Sequence, residues 1–356
     1  MHGWIILDKP HGLGSTQAVA AVKRALRDSG AGKCKVGHGG TLDPLATGVL
    51  PIAVGEATKL AGRMLDSDKI YDFTVAFGAQ TDTLDLEGKV IATSDVRPTL
   101  AQVEAVLSRF VGPIEQSPPA YSAILIDGQR AYDLARKGGE EVAMKMRDVT
   151  VHSLTLKSSP ARGGGPAEPV EGFDQVQLPP AVEGHAGGMT DLIDPIESGT
   201  PLRQGCALPP LLAGEDLDAV TLTAHVSKGT YIRSLARDIA MALGTVGHVT
   251  MLRRVKAGPF TLQTAISLDK LRDAANERGI GELMLPLTAG LDDIPALPVS
   301  PDQALMLRQG KVLTGIAAAA GLHLAIDGQM PVALVEVQDG EIRVVRGFNL
   351  MSKEDD

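Results

Sequence analysis

The sequence predicts an α+β protein, and three observations carry that expectation. Tyr71, Phe73, Val75 and Phe77 alternate with Asp72, Thr74 and Ala76, and Val220, Leu222, Ala224 and Val226 alternate likewise, as strands with one buried face do. Val19, Val22, Ala25 and Leu26, and later Ile232, Leu235, Ala236, Ile239, Ala240 and Leu243, recur at helical spacing. The chain has 356 residues, 44% of them hydrophobic and 22% charged, enough for one large core and a smaller domain after it.

Taken in order, Gly3 to Leu7 reads as a short buried strand and Asp8-Lys9-Pro10-His11-Gly12 as the turn that ends it. Ser15 is expected to cap the first helix, which stops at Gly30. Val49 to Val54 is an apolar run of strand length. Thr99 and Gln102 form a capping box for a helix with Val103, Val106, Leu107 and Phe110 on one side, closed by Gly112. Between about residues 158 and 218 glycine, proline and acids dominate, with Gly163-Gly164-Gly165, Pro179-Pro180 and Pro209-Pro210. Such a run buries too little apolar surface to offset its ordering entropy, and it reads as a partly disordered insertion in a surface loop. Lys228-Gly229-Thr230 then turns the chain from the second alternating strand into a helix ended by Gly244, and Ser267 to Arg278 reads as the last helix of the main domain. Beyond Pro286, Leu305 to Leu313 is a short amphipathic stretch, and Val332 to Val337 with Ile342 to Val345 reads as a hairpin turned at Asp339-Gly340. The expected domains are therefore 1–285, with the insertion inside it, and 286–350, before an acidic tail at 351–356.

Composition excludes several classes. No apolar run approaches a membrane span, and the start of the chain lacks a basic region and enters a strand at once, so a cytoplasmic protein without a membrane partner is expected. Cys34 and Cys206 are too few for a disulfide framework, and the eight histidines do not pair with cysteines at zinc spacing. The net charge of −9 would oppose a nucleic-acid partner if it were spread evenly. It is not. Residues 160–218 hold ten acids against Arg162 and Arg203, nearly the whole excess, whereas residues 225–260 hold Lys228, Arg233, Arg237, Arg253, Arg254 and Lys256 against Asp238 alone.

The chemistry gathers at Lys35 to Leu50. Gly37, Gly39 and Gly40 precede a lone carboxylate, Asp43, and Pro44 pushes that residue out of the helical region. A carboxylate on an irregular turn at the mouth of a packed core is well placed to react. The stretch lacks the Gly-Lys-Ser/Thr ending of a P-loop, and too little strand precedes it for a dinucleotide fingerprint. The acids of Gly78 to Gly88 fit no EF-hand spacing, and no resident metal is expected. The chain is only 3% aromatic, and its four tyrosines, Tyr71, Tyr121, Tyr132 and Tyr231, fall in the motif stretches rather than in anonymous core, which suits base stacking beside basic groups.

Gly37-His38-Gly39-Gly40-Thr41-Leu42-Asp43-Pro44-Leu45-Ala46-Thr47-Gly48, with Gly55-Glu56-Ala57-Thr58-Lys59, resembles nearly letter for letter the catalytic block of the TruB-type tRNA pseudouridine-55 synthases. Lys9-Pro10 with Gly12, Pro118 to Ala123, Ser227-Lys228-Gly229-Thr230-Tyr231-Ile232-Arg233 and His248 to Arg254 resemble further blocks of the same family. The resemblance implies a pseudouridine synthase fold, with a mixed, mainly antiparallel sheet flanked by helices and a small PUA-like, RNA-binding β domain. It implies isomerisation of uridine 55 in the T loop of tRNA by base flipping, in a monomer and without cofactor. Asp43 would be the essential aspartate, as nucleophile or as stabiliser and proton acceptor; Arg233 would pair with it, and Tyr71 would lie against the base as the candidate for a proton transfer. Tyr231 and Leu252 would line the pocket, His38 would hold the RNA loop after flipping, and Lys9 and Lys228 would contact substrate. The alternative on the same fold is a non-catalytic tRNA-binding protein or folding chaperone.

Overall fold

Strands β1 (Gly3–Lys9) and β3 (Thr47–Val54) are apolar at nearly every position because both of their faces are covered. The structure, a computed structural model, describes residues 1–122, 125–126, 129–130, 145–157 and 216–350, all within one compact unit. The acidic insertion up to residue 215, the tail, Tyr132 and Cys206 lie outside these residues.

On one face, Ile5, Leu7, Leu50 and Ile52 pack with Val19, Val22 and Leu26 of α1 (Ser15–Asp28) and with Leu271 and Ala275 of a later helix. On the other face, Trp4, Ile6 and Val49 pack with Phe260, Leu287, Leu324, Leu334 and Phe348. After β3 come α2 (Ala61–Asp66), β4 (Lys69–Phe77), the short pair β5 (Ala79–Thr81) and β6 (Val90–Thr93), α3 (Leu100–Leu107) and β7 (Gly112–Gln116). The two-residue strands β8 (Leu125–Ile126) and β9 (Gln129–Arg130) precede β10 (Arg147–Leu156) and β11 (Ala219–Val226). α4 (Ile232–Ala242), β12 (Gly247–Ala257), β13 (Phe260–Thr261) and α5 (Leu268–Asn276) complete this part. The main sheet runs β1-β3-β12-β4-β11-β10-β7, with β2 (Val36–His38) added to β3 and β13 to β12. Among the described strands of this sheet only β3 and β12 are parallel neighbours, so the sheet is mixed and mainly antiparallel, as expected. β4 and β11 alternate in burial because helices cover one side of them only.

A second sheet orders β14 (Ala296–Pro298), β16 (Gly321–Asp327), β17 (Met330–Gln338), β18 (Glu341–Gly347) and β15 (Leu313–Thr314). α6 (Pro301–Arg308) packs Ala304 and Leu307 onto its own cluster with Val335, Val337 and Ile342. The hairpin turn at Asp339 and Gly340 has φ of 54° and 80°, the paired left-handed values of a type I′ turn.

Three sequence expectations change. Ser15 is not the cap: Gly14 takes the extended N-cap conformation, while the Ser15 hydroxyl accepts from Leu42 N at 2.8 Å and donates to Leu42 O at 2.9 Å. Pairing both backbone groups of a buried residue satisfies more than a cap would. The amphipathic stretch at Leu305 is a helix that begins earlier, where Ser300 and Gln303 form a capping box and Pro301 takes the first turn. β1 runs through Lys9, because Asp8 and Lys9 still pair with Val49 and Gly48.

Candidate active site

Asp43 lies on the irregular segment between β2 and β3, and its backbone is braced from three sides. Lys9 is fully buried and donates to Leu13 O, Pro10 O and Pro44 O at 2.6, 3.0 and 3.1 Å. Ser15 holds Leu42, as described. Arg254, 1% exposed, donates from Nε to Val49 O at 2.8 Å, from Nη2 to Gly40 O at 3.2 Å and from Nη1 to Thr41 O at 3.3 Å. Gly48 makes the approach to β12 possible: its φ is +100°, and a Cβ there would stand 2.2 Å from Arg254 O.

Arg233, in the first turn of α4, meets this loop from the opposite wall. Its Nη2 stands 2.9 Å from Asp43 Oδ2, and its Nη1 stands 3.1 Å from Asp85 Oδ2. Arg233 also donates to Thr83 O at 2.9 Å and Tyr121 O at 3.1 Å, so its orientation is fixed from both ends of the guanidinium. Asp85 is itself held by the Thr83 hydroxyl at 2.5 Å and Glu87 N at 3.0 Å. The two ion pairs differ in environment. The Asp43 side chain is 44% exposed and faces the pocket, whereas Asp85 is 11% exposed and faces the guanidinium.

The pocket above Asp43 has a volume of about 300 Å³. Strand parity builds its wall: Lys69 and Tyr71 of β4, Val226 of β11, and Leu252 and Arg254 of β12 all point to it, with Tyr231 and Arg233 from the start of α4. Burial raises the Tyr231 hydroxyl above the ordinary phenol range, which keeps it neutral. Burial, with the Arg254 charge adding to it, pushes Lys69 down to about 8; Lys9 is also pushed down to about 8 by burial, against the opposing pull of Asp43.

Of the residues expected from the sequence, the structure brings Asp43, Tyr71, Arg233, Tyr231 and Leu252 together at one pocket. Three stand apart. Lys9 lies under the loop with its ammonium on three carbonyls, a brace and not a pocket wall. Lys228 pairs with Asp66 at 3.0 Å and lines a neighbouring open depression with Arg147 and Ser227. His38 is half-buried on β2; its Nδ1 accepts from Gly40 N at 3.4 Å, and burial beside Arg254 holds the ring below the ordinary histidine range. Sequence reasoning missed Asp85 as the second partner of Arg233, and Arg254 and Lys69 as parts of the site. Arg254 shared strand parity with Leu252, a signal the sequence does display.

The family model "TruB family pseudouridylate synthase (N terminal domain)" matches residues 24–163, and "tRNA pseudouridylate synthase B C-terminal domain" matches residues 233–292. The tRNA pseudouridine synthase B of Novosphingobium aromaticivorans is 56% identical, over 98% of this chain and 97% of that protein. That of Zymomonas mobilis is 53% identical over 98% and 96%, and that of a Caulobacter species 41% over 98% and 96%. Among solved structures, a chain of a Cbf5-Nop10-Gar1 complex aligns with a TM-score of 0.63 at 22% identity, covering 99% of this chain and 86% of that one, which speaks to fold alone. A chain from an H/ACA RNP bound to a substrate RNA containing 2'-deoxyuridine gives 0.61 at 21% identity, covering 98% and 85%.

Proposed function

This chain belongs to the TruB family of pseudouridylate synthases and isomerises uridine in tRNA to pseudouridine, and from that premise we propose that its target is uridine 55 of the T loop, with Asp43 as the essential carboxylate. The observation that carries the assignment of Asp43 is the ion pair with Arg233 at 2.9 Å on the wall of the 300 Å³ pocket.

The reaction breaks the bond from ribose C1′ to N1, rotates the uracil in place and forms a bond from C1′ to C5; the C5 proton leaves and N1 gains one. Electrons and atoms balance within the nucleoside, so the protein's task is to reach the base, keep the detached ring and stabilise charge. A base inside a folded loop must be flipped out to enter a pocket of this size. Tyr71 then lies against the ring, and Tyr231 and Leu252 confine it. Arg233 pairs with the Asp43 carboxylate and aims it, and Asp85 in turn keeps Arg233 from turning toward solvent. Lys228, with Arg147 in the adjoining depression, offers charge to the phosphates beside the target nucleotide, and His38 supports the loop from its N-terminal side. The second sheet adds an RNA-binding β domain, and the protein acts as a cytoplasmic monomer. No helix among the described residues is long and apolar enough to cross a membrane.

The test is to incubate the protein with unmodified tRNA and map pseudouridine by position. Product at uridine 55 is expected; product elsewhere, or binding without product, overturns the reading. A pH profile gives a second expected outcome. Lys9 carries its charge, and so all three of its donated bonds, below its value of about 8 and loses it as pH rises through that value. The rate should therefore fall on the alkaline side with a midpoint near 8, and Lys9→Arg, which stays charged, should move that limb upward. A limb unmoved by Lys9→Arg would detach loop bracing from catalysis.

A further inference from the structure

β4, β10 and β11 carry a second cluster of titratable side chains on the face of the sheet away from the pocket. Lys69 and Tyr71 point to the pocket, so Ile70 and, one step ahead of the strand, Asp68 belong to the opposite face. His225 of β11 pairs with Ile70 and shares that face. On β10 the register shifts between Val151 and Ser153, and this bulge re-aims His152 beside His225. Asp68 Oδ2 stands 3.1 Å from His152 Nε2 and 3.7 Å from His225 Nε2, with the imidazole centroids 4.7 Å apart. One ligand atom from each residue lies within 4.8 Å of the others, and the three side chains are 48%, 37% and 37% exposed.

We propose that Asp68, His152 and His225 form a binding site for a divalent transition-metal cation of the zinc type, with water completing its shell. A tetrahedral zinc ion with nitrogen and oxygen ligands at about 2.0–2.2 Å needs those atoms about 3.3 Å from one another. The two distances to Asp68 bracket that value, and partial exposure leaves both imidazoles free to turn by the remainder. Two imidazoles and one carboxylate select zinc, copper or nickel over magnesium or calcium, which favour all-oxygen shells. The Asp68 carboxylate supplies the compensating charge; Lys256, which faces His225 from β12, is the opposing one. A bound ion would tie three neighbouring strands. It would do so across the sheet from Asp43, so turnover of tRNA is not its readout.

The experiment uses the full chain, stripped with a chelator and desalted, and titrates Zn²⁺ by calorimetry against a competing chelator. One equivalent is expected, and its affinity should fall at least about tenfold in each of Asp68→Asn, His152→Gln and His225→Gln, with far-ultraviolet dichroism and metal-free pseudouridine formation unchanged. In the unsubstituted protein, the imidazole resonances of two histidines should shift as that equivalent binds. Failure of the stripped protein to take up Zn²⁺, equal affinity in all three variants, or imidazole resonances unmoved by Zn²⁺ would overturn the site.

Discussion

Asp43→Asn is expected to bind tRNA and to form no measurable pseudouridine, a loss of at least about a thousandfold in single-turnover rate. The substitution removes one charge and almost no volume. The loop does not depend on that charge for its shape, since Lys9, Ser15 and Arg254 hold it through backbone groups. The lost ion pair is partly exposed on the aspartate side, so its contribution to stability should stay below about 1 kcal/mol. Thermal unfolding should therefore be nearly unchanged while turnover disappears. Appreciable turnover in the variant would remove Asp43 from the centre of the mechanism.

Arg233→Met should damage stability as well as activity. Arg233 is 8% exposed and Asp85 11%, and the truncation strands that carboxylate together with the carbonyls of Thr83 and Tyr121. Breaking a buried pair on one side costs about 3–5 kcal/mol, whereas replacing both members with apolar groups is often close to neutral. Urea denaturation should show a loss of that size for Arg233→Met, and the double variant with Asp85→Leu should recover much of it without recovering activity. Recovery of activity alongside stability would mean that Arg233 serves the fold alone.

Much of the site was legible in the sequence because its parts travel in short blocks. Asp43 announces itself by the glycines before it and the proline after it, and Tyr71, Leu252 and Tyr231 by strand parity or helix start. Asp85 was not legible for a physical reason: 148 residues separate it from Arg233, and no local pattern distinguishes a buried acid in a Thr-Asp-Thr-Leu-Asp turn from a solvated one. Lys9, expected from the resemblance as a substrate contact, lies fully buried with its ammonium on three carbonyls, partners that no local sequence pattern displays. β10 and β16 escaped notice because their alternation is interrupted, in β10 by the bulge at His152 and in β16 by a register shift at Ile326. The helix at Pro301 was displaced because its cap lies outside the apolar stretch that drew attention.

The way the reactive turn is gripped also shapes how this gene can drift. Gly40, Thr41, Leu42 and Pro44 are held by atoms that every amino acid carries, while the residues doing the holding, Lys9, Ser15 and Arg254, are held to their chemistry. The instructions for the turn's shape are thus stored far from the turn itself, so a saturation library should find Thr41 more permissive than Arg254, although Thr41 is the nearer to Asp43 along the chain.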